Sequence, residues 1–184
     1  MKLYGHNFFW HTQQQQNYLK SLVAPEMVVV SDGATENIVT NSDFEDGTVN
    51  GYQGFWCDYT YEIASPGHNS DKCLHITTGK PKNMWDAQLF WGVDGLKEGV
   101  TYAYSFSAKS DCNLEMQFIG SQSESPYSGF YKDRFNAGSD WTHCQGEFTY
   151  DGNPANIGRV GIQFGGVAGA NLWIDDFEFG KKKE

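Results

Sequence analysis

The chain has 184 residues and a formal net charge of −10, from 13 basic and 23 acidic side chains. That length fits one ordinary domain with an appendage, and the charge excludes the positive surface that nucleic acid or an anionic membrane would need. Aromatic residues make up 16% of the chain, more than a modest core with polar strand faces absorbs, so some rings are expected on the surface, where exposed rings usually bind something.

In chain order, residues 1–35 come first and read as foreign to the rest of the chain. No apolar run reaches the roughly 20 residues of a membrane span, and no signal-peptide h-region follows Met1. Gln13 to Gln16 and Tyr18-Leu19-Lys20-Ser21-Leu22 spell a turn or a short helix, which Ala24-Pro25-Glu26 breaks. From Glu36 onward the pattern changes to short runs of period-two alternation separated by Gly, Asn, Asp, Ser and Pro clusters. Asn41-Ser42-Asp43-Phe44-Glu45 reads as an early strand. In Tyr102 to Lys109 rings alternate with small residues, and Leu114, Met116 and Phe118 repeat the pattern. Cys144, Gly146, Phe148 and Tyr150, then Val160, Ile162 and Phe164, continue it, and Trp173-Ile174-Asp175-Asp176-Phe177 closes the series. Helical periodicity is absent from this body. The expected fold is therefore all-β, a β-sandwich jelly roll of two antiparallel sheets over residues 36–180, with 181–184 as a solvated tail.

Several chemistries find little support. Cys57, Cys73, Cys112 and Cys144 lack C-x-x-C spacing, which leaves buried small residues or a disulfide of an exported protein as readings. The five histidines show no H-E-x-x-H spacing. Asp175 and Asp176 adjoin on a strand and should face opposite sides, so they make no acid/base couple. The acids near the two ends of the body, at 43–45 and 175–176, can meet only if the fold joins its first and last strands.

Tyr4-Gly5-His6-Asn7-Phe8-Phe9-Trp10-His11-Thr12-Gln13 resembles the third barrel strand and following loop of family 10 glycoside hydrolase xylanases. The catalytic glutamates of that family come from later barrel strands that this chain does not contain. From about Asn37 the chain resembles carbohydrate-binding modules of family 4 or 22, through Asn41-x-Asp-Phe-Glu, Trp85-Asp86-Ala87-Gln88, Glu98-Gly99-Val100-Thr101-Tyr102, Trp141 and Ile174-Asp175-Asp176. Together the two resemblances imply a binding module inserted in the loop after the third barrel strand of a xylanase of the gut Bacteroidetes type.

Sugar binding needs a flat ring under a pyranose face, with amides, hydroxyls or charges at its rim. The resemblance implies Trp85 as a stacking ring, with a core position as the alternative, and Gln88 as a polar cleft residue. Gln163, between core-facing Ile162 and Phe164, should project its amide from the sheet. A second stacking ring is implied in Ser125 to Tyr131, where Tyr127, Phe130 and Tyr131 compete; Arg134 and Gln117 are secondary candidates. Trp56, Tyr102, Phe106, Trp141 and Trp173 are expected mainly in the core. The resemblance also implies a structural Ca2+ held by the Glu45 and Asp175 side chains, with help near Asp43, Asn69 and the Lys72 carbonyl; the alternative is a set of ordinary surface acids. The function expected is a non-catalytic, exported, monomeric module that binds β-1,4-xylan and xylo-oligosaccharides, with other β-glucans as alternative ligands, in an open cleft and keeps a xylanase on its substrate. A jelly-roll polysaccharide hydrolase or lyase domain and a protein-interaction sandwich are the other readings.

Overall fold

The computed structural model describes residues 36–49, 51–53, 58–153 and 158–183, and these lie within one unit, Gly33–Glu184. The resemblance to a xylanase barrel strand, and Trp56 and Cys57, fall outside the described residues. The described residues form ten strands: β1 (Tyr52–Gln53), β2 (Tyr59–Ala64), β3 (Cys73–Thr78), β4 (Gln88–Gly92), β5 (Thr101–Ser110), β6 (Leu114–Gln122), β7 (Gly129–Ala137), β8 (Thr142–Thr149), β9 (Gly158–Gln163) and β10 (Asn171–Lys181). They make two five-stranded sheets, β1-β4-β9-β6-β7 and β2-β3-β10-β5-β8, in which every pairing is antiparallel. Among the described residues a single 3-10 turn, Met84–Asp86, interrupts the strands. This is the expected β-sandwich.

The core lies between the sheets. Leu74, Ile76, Phe106, Phe118, Ile162, Leu172, Ile174 and Phe177 are buried there, and each such side chain contributes about 2 kcal/mol of transfer free energy. Phe177 stacks on Trp91 with ring centroids 4.2 Å apart. Tyr102 and Phe106 are in this core, as expected.

Three expectations need correction. First, Asn41 to Glu45 is a turn and not a strand, because Asn41 (φ 49°) and Phe44 (φ 59°) adopt left-handed backbone that breaks the alternation. The segment still docks on β10. Ile38 N–H donates to the Phe179 carbonyl (2.8 Å), Phe177 N–H donates to the Ser42 carbonyl (3.0 Å), and the Asn37 carboxamide oxygen accepts from Phe179 N–H at 3.0 Å. Val39 and Phe44 are buried in the core, so the two ends of the body do meet, through a loop. Second, Asp175 and Asp176 do not simply alternate: Asp176 has φ 52° and the β10–β5 register shifts between Asp175 and Glu178, the mark of a bulge. Third, Trp141 and Trp173 are half-buried on the outer face of the second sheet, where Trp173 stacks on His75 at 4.6 Å and Trp141 tilts against His68 at 5.3 Å.

Cys73, Cys112 and Cys144 are free thiols. Burial pushes the Cys73 thiol up to about 11 and Cys144 up to about 12, which keeps both protonated and unreactive.

Candidate functional site

The face of the first sheet that turns away from the core carries a groove of about 670 Å3. Its floor follows from strand register. Gln88 on β4 is opposite Gln163 on β9, Gln163 is opposite Gln117 on β6, and Gln117 is opposite Arg134 on β7. Four adjacent strands therefore place three amides and a guanidinium in one row. The amides are buried and linked: Gln117 Nε2 donates to Gln163 Oε1 at 3.0 Å, and Gln163 Nε2 donates to Gln88 Oε1 at 3.2 Å. Chaining fixes the orientation of each amide and leaves further donors and acceptors facing the groove.

At the β4 end stands Trp85, 57% exposed on the 3-10 turn. That exposure excludes the core reading. Asp86 holds the turn by accepting from the Lys82 and Asn83 N–H groups at 2.8 and 2.9 Å, and these bonds draw its carboxyl below the ordinary range. Along the strands toward the Gly92–Arg159–Ser121 row, about four residues and some 13 Å away, the groove meets Tyr127, which is 51% exposed. Tyr127 closes a turn by donating its N–H to the Glu124 carbonyl at 2.7 Å, and it sits at φ 57°. A bulky residue in the left-handed region costs on the order of 1 kcal/mol, a cost found most often at ligand clamps and other working positions.

The structure separates the three rings of this loop. Tyr127 lines the groove. Phe130 and Tyr131 pack on the core edge, with Tyr131 stacked on Phe148 at 4.9 Å and Phe130 edge-on to Phe148 at 5.5 Å. Gly120 makes room for Phe130, because a Cβ there would lie 2.5 Å from its ring. Gln88, Gln117, Gln163 and Arg134 all line the groove. The sequence reading missed Arg159, whose guanidinium lies 4.1 Å over the Phe90 ring and 5.4 Å from the Tyr127 ring while Nε donates to Ser121 Oγ at 2.9 Å. Its place opposite Gln163's end of β9, on the same face by period two, was the available signal. Lys132 and Ile119 also line the groove.

The residues expected around Ca2+ converge in part. Asp175 is fully buried, its Oδ2 accepting from His68 N–H (2.7 Å) and Ser70 Oγ (2.9 Å) and its Oδ1 from Asp176 N–H (2.8 Å). Desolvation pushes its carboxyl up, and no cationic side chain bonds to it among the described residues. Ser70 Oγ also lies 3.1 Å from the Lys72 carbonyl oxygen, and Lys72 N–H donates to Glu45 Oε1 at 2.7 Å. Glu45, Lys72 and Asp175 thus share one seam around Gly67, where a Cβ would lie 2.3 Å from the Lys72 carbonyl oxygen and 2.6 Å from Asp175 Oδ2. Asp43 instead lines a separate hollow with Asp176 and Glu178, and the Asn69 amide meets the His68 ring. Among the described residues no group of three or more His, Cys, Asp or Glu is placed to hold a metal. The donors that do converge are hard oxygens, the type Ca2+ takes.

A sandwich with an amide-floored groove and open rings at its ends is built for a polar, ring-faced ligand. The carbohydrate binding domain model matches residues 36–165, and the chain belongs to that family. Among solved structures it is similar to a CBM4 structure, at 19% identity and TM-score 0.66 over 78% of this chain and 99% of that one. It is also similar to the CBM22-1 xylan-binding domain from Paenibacillus barcinonensis, at 14% identity and TM-score 0.62 over 83% and 98%. A third is the N-terminal cellulose-binding domain of Cellulomonas fimi β-1,4-glucanase C, at 18% identity and TM-score 0.52 over 79% and 95%. At these identities the likeness is one of fold. No curated protein matches the chain in sequence.

Proposed function

We propose that the groove holds a β-1,4-xylan chain and that the module, exported and without catalytic activity of its own, keeps a xylanase on its polymer. The carrying observation is the pair of open rings, Trp85 and Tyr127, at the two ends of a groove floored by linked amides. Each ring offers a face to a pyranose, and the amides pair the hydroxyls between them. Ordinary glycoside hydrolysis needs two carboxylates across the scissile bond, whereas among the described residues Asp86 is the single acid lining this groove and its oxygen is committed to the turn. The xylanase context rests on the resemblance of residues 4–13 to a family 10 barrel strand.

Titration calorimetry with xylohexaose and cellohexaose tests the reading: heat with xylohexaose, stronger than with cellohexaose, is expected, and no heat with either sinks it. Reducing-sugar release from xylan by this chain alone would favour a hydrolase instead.

We further propose that the Glu45–Lys72–Asp175 seam takes a structural Ca2+, through the Asp175 carboxylate, the Lys72 carbonyl and Glu45. The burial of Asp175 and the convergence of its Oδ2 with the Lys72 carbonyl oxygen around Gly67 support this. Adding Ca2+ to chelator-treated protein should raise Tm by several degrees, as binding to the native state alone requires; an unchanged Tm would count against it.

A further inference from the structure

The groove's charge is opposite in sign to the protein's. In a chain of net charge −10, three cations, Lys132, Arg134 and Arg159, line the groove against one acid, Asp86, among the described residues. Strand alternation produces this. Lys132 and Arg134 are two residues apart on β7 and so share its groove side, some 7 Å from each other. Asp133 between them points to the core, where it accepts from the Tyr104 and Tyr131 hydroxyls at 2.9 and 3.2 Å. The anionic member of the run is thereby withdrawn from the groove and the cations are presented to it.

The three cations are not equivalent. Arg159 is engaged with Ser121 and the Phe90 and Tyr127 rings, where it supports Tyr127. Arg134 pairs with Glu115 across the β6–β7 ladder. Lys132 is exposed and makes no ion pair among the described residues. Both Lys132 and Arg134 belong to β7, the edge strand of its sheet, so they stand at the side wall, with Arg134 next to Gln117 at the end of the amide row and Lys132 two residues further along the rim.

We infer that the groove takes a neutral glycan backbone bearing pendant uronate groups, whose carboxylate is received at the β7 rim by Lys132 with Arg134 beside it. This rests on the reading of the groove as the site of a neutral β-glycan chain and adds the class of side group it selects. A backbone made of uronates would carry the same carboxylate, but it would place charge along the amide floor, where, among the described residues, the cations already have other partners.

Calorimetry on the whole chain distinguishes these cases with four ligands: xylohexaose, a xylo-oligosaccharide of equal length bearing one glucuronate, the same compound with its carboxyl reduced, and an oligogalacturonate. At low salt the glucuronate compound should bind roughly fivefold tighter than its reduced form, the scale of an exposed ion pair. The advantage should shrink in about 0.5 M salt, where exposed charges are screened. Lys132→Gln should bring the ratio of charged to reduced affinity to about one, and Arg134→Gln should lower it less. Equal affinity for the charged and reduced compounds in the native protein overturns the inference and leaves xylan binding intact. Tighter binding of the oligogalacturonate than of the glucuronate compound overturns the pendant placement. Absence of heat with all four overturns the underlying reading of the groove, and this one with it.

Discussion

The two sheets each carry a polar-aromatic row on the side away from the core, and the rows serve different ends. On the first sheet Gln88, Gln163, Gln117 and Arg134 lie side by side, with Trp85 open at one end and, at the other, Tyr127, which Arg159 backs on one face while the ring stays 51% exposed. On the second, Glu62, His75, Trp173 and Lys109 are in register, and the rings are already occupied. His75 covers Trp173 in a stack tilted by 8°, and Lys109 Nζ lies 4.8 Å from the Trp141 ring and 5.2 Å from that of Trp173. His75 is itself tied to Glu62 and Asn171 at 3.0 and 3.1 Å. Tryptophans therefore do not mark a binding face by their presence. A ring whose face is taken by its own neighbours stabilises the sheet, and a ring left open beside a hollow is available to a ligand.

The largest test of this contrast exchanges the two kinds of tryptophan. Trp85→Ala should cost about 2 kcal/mol of binding to xylohexaose, a loss of roughly thirtyfold, with Tm unchanged. Trp173→Ala should do the reverse, leaving affinity alone and removing about 1–2 kcal/mol of stability as its stacking and cation contacts vanish. Calorimetry and thermal melts on both variants would show the crossover; loss of binding in Trp173→Ala would erase the distinction between the faces.

A smaller effect is expected at the centre of the floor. Gln163→Leu leaves Gln88 Oε1 without its donor and Gln117 Nε2 without its acceptor. The expected cost is about 1–2 kcal/mol in a urea titration, together with a several-fold loss of sugar affinity. If stability were unchanged, the ladder would be no more than a set of solvated amides.

The smallest is a pH effect through Asp86. Its folded carboxyl is drawn below the ordinary value of 3.8 by the Asn83 and Lys82 N–H groups. Its contribution to the turn is therefore fully present above that value and is lost as pH falls through the lower, folded one. Sugar affinity that depends on Trp85 should hold steady down to the ordinary carboxylate range and weaken below it. Asp86→Ala should show the weakened affinity at neutral pH.

Much of this was legible in the residues. Period-two runs gave Tyr102–Lys109 and Val160–Phe164 their strands, because apolar burial on one face fixes which residues point inward. The same parity put Gln163 on the groove side. Trp85 was legible as a ring at a strand entry after a Lys-Pro-Lys-Asn run. Less was visible where parity breaks. The bulge at Asp176, and the turn that replaces the expected strand at Asn41 to Glu45, depend on left-handed residues that carry no apolar pattern. The choice among Tyr127, Phe130 and Tyr131 was also closed to the sequence, since it turns on the glycine at 120 on a neighbouring strand.

The sequence by itself determined the β-sandwich and its two faces, since alternation is a local property that survives any arrangement of strands. Only the tertiary structure decided which face would work. Register between strands far apart in the chain, Gln88 with Gln163 and Gln163 with Gln117, gathers single amides into a floor. Cross-strand neighbours then cover one set of rings and leave the other open, and these non-local pairings are invisible to any window that reads the chain in order.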